Sequence, residues 1–382
     1  MTDFVPTRRA VHVLPEGELE RKLARRRPLR VKLGIDPTSP DVHLGFAVVL
    51  DRLREWQDAG HVVVLIVGDY TARIGDPSGR SAERPVLADE ELDANAQHFA
   101  EQVFRVLDRE RTEIRFNGEW LARLSFAEVV RLTRTLTVAR LLERDDFAKR
   151  FATQEPISLS ELLYPPMQAY DSVAIEADVE IGGTDQLYNL LTGRDVMTHY
   201  GLEPQVVVTY PLLVGLDGEE KMSKSRGNYI GIEEPPEEMF GKTMSIPDSA
   251  LRQWWDLVAG GGEHPVDPME WKLELAWRVT ARWHGEDGAR AGEENFTRVV
   301  RRHEAPAEVP DATFAPANGV VYLPGLLQGL FGNSASHWRR QIDQGGVKVN
   351  GETVGSYEVD AARLEGAVLQ AGKRQFVRLH AV

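Results

Sequence analysis

The sequence predicts an α/β fold: a Rossmann-like parallel-sheet domain with a helical insertion, then an α-helical domain and a small α+β domain. Three observations carry this prediction. Residues 29–67 read as strand, helix and strand, a βαβ unit that implies a parallel sheet. The second of these strands, residues 61–67, is apolar on both faces, as a buried parallel strand must be. Residues 319–382 alternate apolar and polar residues between glycine turns, as a small mixed domain does.

Hydrophobic periodicity gives the elements of the first domain, residues 1–234. The pattern from about residue 89 to residue 170 is mostly helical. In chain order the predicted elements are a helix at 16–27, a strand at 29–35, a helix at 45–59, strands at 61–67, 114–116 and 179–181, a helix at 184–200 and a strand at 205–208.

The rest of the chain predicts two smaller domains. Helical patterns cover residues 235–303. Prolines at 306, 310 and 316 indicate that residues 304–318 are a linker. In residues 319–382 the pair Asn350-Gly351, between short apolar runs, predicts a two-residue hairpin turn.

Composition narrows the class of protein. The sequence contains no run of about 18 apolar residues, so no membrane span is predicted. Residues 1–9 lack the apolar core of a signal peptide, and the sequence contains no cysteine. We therefore expect a cytoplasmic protein without disulfides. The net charge of −14 argues weakly against nucleic-acid binding. However, residues 319–382 hold seven Lys/Arg against five Asp/Glu, so this part is +2 and the remainder −16. A local basic face on an acidic protein can still bind RNA.

Two short motifs define the candidate site. Residues 36–46 (DPTSPDVHLGF) lie between the first strand and its helix, and residues 221–225 (KMSKS) lie in a polar, glycine-containing loop. A helix N-terminus favours anions because its backbone N–H groups are free and its dipole is positive. Two lysines three residues apart suit a mobile cover over the same phosphates. Taken alone, the histidine is more often a helix cap and the lysine cluster a solvated loop. Together, in this order, they predict a polyphosphate site.

This pair resembles the HIGH and KMSKS signatures of class I aminoacyl-tRNA synthetases. Three internal motifs, at residues 75–79 (GDPSG), 164–171 (YPPMQAYD) and 182–186 (GGTDQ), are similar to those of bacterial tyrosyl-tRNA synthetases. A tryptophanyl enzyme would lack the Gln168/Asp171 pair and the GGTDQ run. The resemblance covers almost the whole chain and ends in a tail similar to an S4 RNA-binding domain. It implies activation of L-tyrosine with ATP and transfer to tRNA(Tyr), by a homodimer that pairs through the insertion at 89–158.

Spacing alone groups three polar side chains. Tyr164, Gln168 and Asp171 fall at i, i+4 and i+7, so they share one helical face. Phenol, amide and carboxylate inside a core would each demand a partner, which favours a pocket wall. The resemblance implies that Asp171 binds the substrate phenol and that Asp76, Tyr164 and Gln168 bind the α-ammonium. It places Gln186 near the carboxylate of the amino acid.

The resemblance also implies the ATP and RNA contacts. ATP would bring Mg²⁺ without a dedicated protein cage, and no metal-binding residues are expected. A tight turn explains Gly34 and Asp36 almost as well, and a helix N-cap explains the GGTDQ run. The residues implied for ATP binding are Gly34, Asp36, His43, Gly45, Gly183, Asp185 and Lys224; for catalysis at the phosphates Thr38, His43, Arg80, Arg84, Lys221, Lys224 and Ser225; and for RNA binding Arg339, Arg340 and Lys348.

Two positions depart from the family pattern. Phe46 stands where the first signature normally has a polar residue, usually histidine, so one contact to ATP is missing or replaced. Lys32 stands where many members carry a tyrosine that reaches the substrate hydroxyl. Phe46 therefore keeps open a second reading, a synthetase-like RNA-binding or regulatory protein without activation activity. A third reading, an adenylate-forming enzyme that passes tyrosine to another acceptor, is disfavoured by the S4-like tail.

Overall fold

The structure, a computed structural model, describes residues 7–37, 41–77, 89–301, 309–372 and 375–382. The chain divides into two compact units. The first comprises the described residues up to Glu234 together with Ile246–His264, and the second comprises Pro235–Ser245 together with the described residues from Pro265 onward.

Strands and helices are numbered in chain order. The strands are β1 His12–Leu14, β2 Arg30–Ile35, β3 Val62–Val67, β4 Thr112–Phe116, β5 Val179–Gly183, β6 Val206–Tyr210, β7 Asp311–Phe314, β8 Val320–Tyr322, β9 Val347–Val349, β10 Glu352–Thr353, β11 Glu358–Asp360, β12 Val368–Ala371 and β13 Gln375–Ala381. The helices are α1 Glu18–Leu23, α2 Leu44–Asp58, α3 Asp89–Val103, α4 Gly118–Leu121, α5 Phe126–Thr133, α6 Val138–Leu141, α7 Asp145–Ala152, α8 Tyr164–Ala174, α9 Leu187–His199, α10 Pro236–Met244, α11 Leu251–Val258, α12 Pro268–Phe296, α13 Leu323–Phe331, α14 Ala335–Asp343 and α15 Ala361–Leu364.

The first unit is built on a six-stranded sheet in the order β1-β6-β5-β2-β3-β4. All neighbouring pairs are parallel except β1 with β6. β5 and β6 are buried along their whole length, and β3 is buried except at Val62, because helices cover both faces of a parallel sheet. The chain winds outward from β2 through β3 to β4, then returns to the other side of β2 with β5. This reversal between β2 and β5 is the point at which such sheets bind ligands. The predicted α/β class is confirmed.

Most predicted elements of this unit are present, with shifted ends. The first helix is shorter than predicted, since Arg26 adopts a left-handed φ of 52° and Pro28 follows. The predicted helix at 184–200 begins with a 3-10 turn, Thr184–Gln186, before α9. β1 was not predicted from the sequence; its three residues pair antiparallel with β6, and His12 Nδ1 lies 2.8 Å from Thr209 Oγ1.

The second unit combines helices with a small β structure. α10 packs against α12 through Phe240, Met244 and Ala276. A separate core of buried residues from Phe314 to Leu379 lies among α13, α14 and the later strands. The five strands β10-β9-β12-β13-β7 form one sheet, and β11-β8 form another. The predicted hairpin turn is confirmed: Asn350 and Gly351 have φ of 50° and 84° between β9 and β10.

One strand lies within the segment predicted as a linker. β7, Asp311–Phe314, pairs parallel with β13, and Phe314 is buried in the core of the small β structure. Residues 304–308 of that segment lie outside the described residues. The alternation Ala312, Phe314 explains the strand, which prolines on either side obscured. Among the helices of the described ranges, none is long and apolar enough to cross a membrane.

Candidate active site

In open α/β sheets a crevice lies outside the carboxyl ends of the strands at the point where the strand order reverses, which here is between β2 and β5. Asp36 follows β2, and Asp185 follows β5 in the turn that starts at Thr184. Gly34 faces open space, since a Cβ added there would meet no atom within 4 Å. Gly183 is different: a Cβ there would approach Asp185 Oδ1 at 2.7 Å and Leu212 Cδ2 at 2.6 Å. The absence of a side chain at Gly183 therefore leaves the room in which Asp185 sits.

The wall of the crevice is the polar face of α8. Tyr164, Gln168 and Asp171 are all buried on this helix, as their spacing predicts. The Tyr164 hydroxyl donates to Asp36 Oδ2 at 2.9 Å, and burial with the nearby carboxylates raises its pKa well above the ordinary value. Within the described part of the chain, Gln168 Oε1 is buried without a hydrogen-bond partner. A buried amide oxygen in this state is ready to accept from a ligand.

Asp171 is held by two donors that sequence reasoning missed. Trp120 Nε1 donates to Oδ1 at 2.9 Å, and Asn117 Nδ2 donates to Oδ2 at 3.3 Å. Burial raises the pKa of Asp171 to about 7, while the charge of Lys32 and these two hydrogen bonds act in the opposite direction. The signal available in the sequence was weak: Asn117 directly follows a short strand, at the edge where ligands bind.

Asp76 stands at the other end of the crevice, within a hydrogen-bonded chain. It accepts from Gln186 Nε2 at 2.7 Å, and Gln186 Oε1 accepts from Asn189 Nδ2 at 3.0 Å. Asn189 Oδ1 in turn accepts from Arg144 Nη1 at 2.9 Å. The structure thus brings together the predicted residues Asp76 and Gln186, and adds Asn189 and Arg144, which were not predicted.

His43 is the N-cap of α2, and its ring is neutral. Its Nδ1 accepts the backbone N–H of Gly45 at 3.1 Å. Burial, with the charges of Lys224 and Lys221, lowers the pKa of His43 to about 3. A neutral imidazole that accepts through Nδ1 carries its proton on Nε2. The cap interpretation and the ligand interpretation both fit, since Nε2–H is left to donate to an anion at the helix N-terminus.

The lysine loop contacts the crevice from the other side. Lys221 Nζ lies 2.6 Å from Asp185 Oδ2, and Lys224 Nζ contacts the backbone carbonyl of Asp41. Burial lowers the pKa of Lys224 to about 8, although Asp41 opposes this shift. Ser225 is exposed, and its hydroxyl lies 2.9 Å from that of Ser223. Thr38, Arg80 and Arg84, which were predicted to contact phosphates, lie outside the described residues.

The structure shows the contacts of Phe46 and Lys32, the two residues that depart from the family pattern. Phe46 stacks on His43 with ring centroids 4.3 Å apart and meets Phe99 edge-on at 5.6 Å. Lys32 is fully buried, and its Nζ donates to Glu180 Oε1 at 2.8 Å, Ser172 Oγ at 2.9 Å and the carbonyl of Gln168 at 3.2 Å. Phe46 therefore supports the ring of His43, and Lys32 fastens β2 to α8 and β5.

The predicted RNA-binding residues lie in the second unit. Arg339 and Arg340 are exposed on α14, and Arg339 Nε donates to the Tyr322 hydroxyl at 2.8 Å. Lys348 is half-buried on β9. Among the described residues, no group of three or more His, Asp or Glu side chains is arranged to hold a metal ion.

The fold agrees with comparisons to known proteins. The family model described as tRNA synthetases class I (W and Y) matches residues 24–274, and the chain belongs to this family. Within it, the chain is similar to proteins named tyrosine–tRNA ligase. It is 48% identical to that of Moorella thermoacetica, over 98% of this chain and 94% of the relative, and 48% identical to that of Thermotoga maritima, over 97% and 95%.

Solved structures share the fold. A C-terminally truncated mitochondrial tyrosyl-tRNA synthetase of Aspergillus nidulans matches 75% of this chain and 90% of its own, with a TM-score of 0.61 and 22% identity. A tyrosyl-tRNA synthetase of Archaeoglobus fulgidus complexed with L-tyrosine matches 75% and 96%, with a TM-score of 0.60 and 23% identity. At these identities the likeness concerns the fold.

Proposed function

We propose that this chain activates L-tyrosine with ATP, giving tyrosyl-adenylate and pyrophosphate, and transfers the tyrosine to the 3′ end of tRNA(Tyr). The observation that carries the proposal is Asp171, a buried carboxylate bracketed by Trp120 and Asn117 on the wall of the crevice. The names of relatives at 48% identity over nearly the whole chain support the same substrate. Cytoplasmic action follows from this role in translation.

Asp171 selects the phenol group. Its carboxylate accepts a hydrogen bond from the hydroxyl of tyrosine, and phenylalanine would leave the buried charge without this donor. Tyrosyl-tRNA synthetases discriminate against phenylalanine in this way by about 10⁵, without editing. At the other end of the crevice, the α-ammonium suits Asp76, Tyr164 and Gln168. Gln186 lies near the α-carboxylate, with one amide hydrogen directed to Asp76.

Activation requires positioning more than proton transfer. The tyrosine carboxylate, already ionised, attacks the α-phosphorus of ATP; the new O–P bond forms as the bond to the pyrophosphate oxygen breaks. His43 donates through Nε2–H, while the lysines at 221 and 224 stabilise the developing negative charge. Asp185, Asp36, Gly34, Gly45 and Gly183 suit the adenylate, because they surround the ends of β2 and β5. Thr38, Arg80, Arg84 and Ser225 complete the proposed phosphate contacts, and Mg²⁺ enters as part of the ATP substrate.

The other predicted regions carry supporting roles. Residues 235–303 form the proposed anticodon-side domain, and residues 319–382 the S4-like RNA-binding domain, reached through the segment at 304–318. Arg339, Arg340 and Lys348 are the proposed tRNA contacts.

We also propose a homodimer that pairs through residues 89–158, where Phe126 and Phe151 are 83% and 65% exposed. Sedimentation should show a dimer, and Phe126→Asp should shift the protein toward the monomer. A parent protein that sediments as a monomer would contradict this pairing.

Tyrosine-dependent exchange of pyrophosphate into ATP tests the activity directly. We expect exchange with tyrosine and none with phenylalanine, and its loss or relaxed selectivity in Asp171→Ala. Phe46→His should change the rate little, because an aromatic ring can still stack on His43. No exchange in the parent with activity gained in Phe46→His would instead favour the regulatory, RNA-binding reading.

A further inference from the structure

Arg144 is a buried cation beside the candidate amino-acid subsite that the proposed chemistry does not use. It precedes α7, in the insertion, and its side chain is only 4% exposed. Asp146 pairs with it in two places, with Nε–Oδ1 at 3.0 Å and Nη2–Oδ2 at 2.9 Å. The rings of Phe147 and Tyr188 lie 5.1 Å and 5.5 Å from its Cζ. The planar guanidinium is therefore fixed in one orientation, with its charge compensated.

The remaining donors of Arg144 face the crevice. Nη1 donates to Asn189 Oδ1 at 2.9 Å, and Nη2 lies 3.9 Å from Asp76 Oδ1. Since a guanidinium donates and never accepts, Asn189 must turn its oxygen toward Arg144 and its NH₂ toward Gln186. Gln186 must then accept with its oxygen, and its NH₂ points to Asp76. Arg144 therefore sets the orientation of the Asn189 amide and, through it, the orientation of the Gln186 amide.

From this arrangement, and resting on the function proposed above, we propose that Arg144 is a positioning residue for L-tyrosine. Through Asn189 it fixes the amide of Gln186, and through that amide it holds the carboxylate of Asp76 in place for the α-ammonium. A reversed Gln186 amide would present its oxygen to Asp76 and to the carboxylate of the substrate, and both approaches are repulsive.

The long contact with Asp76 suits this role. At 3.9 Å, Nη2 attracts the carboxylate by charge, at a distance beyond that of a hydrogen bond. Through Arg144, the polar chain also gives the insertion a part in the amino-acid subsite. A lysine at this position could supply the charge, but it lacks the fork that binds Asp146 and Asn189 together.

The test compares Arg144→Met with Arg150→Met. Arg150 is a matched control, because it lies on α7, the helix that Arg144 precedes, is 3% exposed and pairs with Glu161 at 2.5 Å and 3.0 Å, but takes no part in the chain to Asp76. The readouts are the KM for tyrosine and for ATP in pyrophosphate exchange, the Kd for tyrosine by calorimetry and the melting temperature. Misplacing substrate groups costs up to about 100-fold. We expect Arg144→Met to raise the KM and Kd for tyrosine roughly 10- to 100-fold, with the KM for ATP unchanged.

Two further variants keep the test decisive if Arg144→Met folds poorly. Asn189→Ala should reproduce the tyrosine effect, and adding Arg144→Lys to it should add little, since both act along one path. Arg144→Lys alone should fall between the parent and Arg144→Met. Equal tyrosine constants in Arg144→Met and Arg150→Met, or fully additive effects with Asn189→Ala, would overturn the inference. A parent protein that neither binds nor activates tyrosine would instead overturn the proposed function.

Discussion

The buried carboxylate of Asp171 leads to a prediction about how tyrosine binding depends on pH. Burial raises its pKa to about 7, so the carboxylate is fully ionised only above that value. The charged groups that face it are Lys32, whose charge lowers the pKa, and Glu180, whose charge raises it. Because the phenol donates to the ionised form, we expect the KM for tyrosine to rise about tenfold between pH 8 and pH 6, as the competent fraction falls.

The measurement is a pH series of pyrophosphate exchange with saturating ATP. His43, with a pKa of about 3, does not titrate in this window. Asp171→Asn should flatten the pH profile and weaken the preference for tyrosine over phenylalanine. A parent profile that is flat from pH 8 to pH 6 would show that Asp171 is ionised throughout, or does not bind the phenol.

The buried ion pair of Lys32 with Glu180 leads to a prediction about the stability of the fold. Its ammonium and Glu180 are 0% and 2% exposed, and Ser172 and Gln205 also donate to Glu180. Removing one partner of a buried pair leaves an uncompensated charge, so Lys32→Met should lower the free energy of unfolding by about 3–5 kcal/mol. Lys32→Met with Glu180→Gln should recover part of this loss in urea unfolding. Equal stability of the single and double variants would contradict the role of the charge.

The residues of the site differ in how far sequence could predict them. Tyr164, Gln168 and Asp171 lie within one helix, so spacing alone predicted their shared face. The partners of Asp171 are 51 and 54 residues away, and Lys32 is 148 residues from Glu180. Such contacts arise from the order of strands in the sheet, which local periodicity does not encode. Lys32 was therefore interpreted as a substitution near the substrate, and its buried pair could not be foreseen.

Among the elements, the lysine loop depends on a side chain outside its motif. Asn228 is buried; its Oδ1 accepts the N–H of Ser223 at 2.8 Å, and its Nδ2 donates to Asp217 Oδ2 at 2.6 Å and to the carbonyl of Lys221 at 3.2 Å. A Cβ at Gly215 would overlap the Asn228 amide at 2.2 Å, so glycine leaves the space for this amide.

We expect Asn228→Ala to loosen the loop. The exchange rate should fall on the order of tenfold or more, and the Kd for tyrosine should not change, because the proposed tyrosine contacts do not include the lysine loop. Stopped-flow or steady-state exchange checks the rate, and calorimetry checks tyrosine binding. Glu219→Ala is the control, since this exposed side chain of the same loop lies outside the proposed phosphate contacts. A parallel loss of tyrosine binding would indicate wider unfolding.

Element types were easier to predict than element limits. The apolar strands β2 and β3 and the helix α2 between them follow directly from periodicity, because a buried parallel sheet demands those patterns. β1 and β7 are short strands at sheet edges, where the pattern holds too few residues to be distinguished from loops. Both depend on pairing with a strand that is distant in sequence.

At the scale of the whole molecule, the distribution of charge indicates that tRNA binding and tyrosine activation depend on different parts of the chain. Residues 319–382 carry +2 while the remainder carries −16, so attraction for tRNA phosphates must be local. The second unit presents Arg339 and Arg340 on the exposed side of α14, whereas Trp338 of the same helix is part of the core. Activation of tyrosine needs no tRNA. The two reactions can therefore be separated by surface substitutions in the second unit.

Arg339→Glu with Arg340→Glu should weaken tRNA charging and leave pyrophosphate exchange unchanged. Reversing two phosphate contacts should raise the KM for tRNA on the order of tenfold or more and reduce the slope of log affinity against log salt by about two. Arg339→Lys with Arg340→Lys, which keeps the charge, is the matched control and should retain most of the affinity. Aminoacylation across a salt series, with exchange measured on the same samples, distinguishes the outcomes. An unchanged KM for tRNA would remove these arginines from the RNA-binding surface, whereas a parallel loss of exchange would show damage that reaches the first unit.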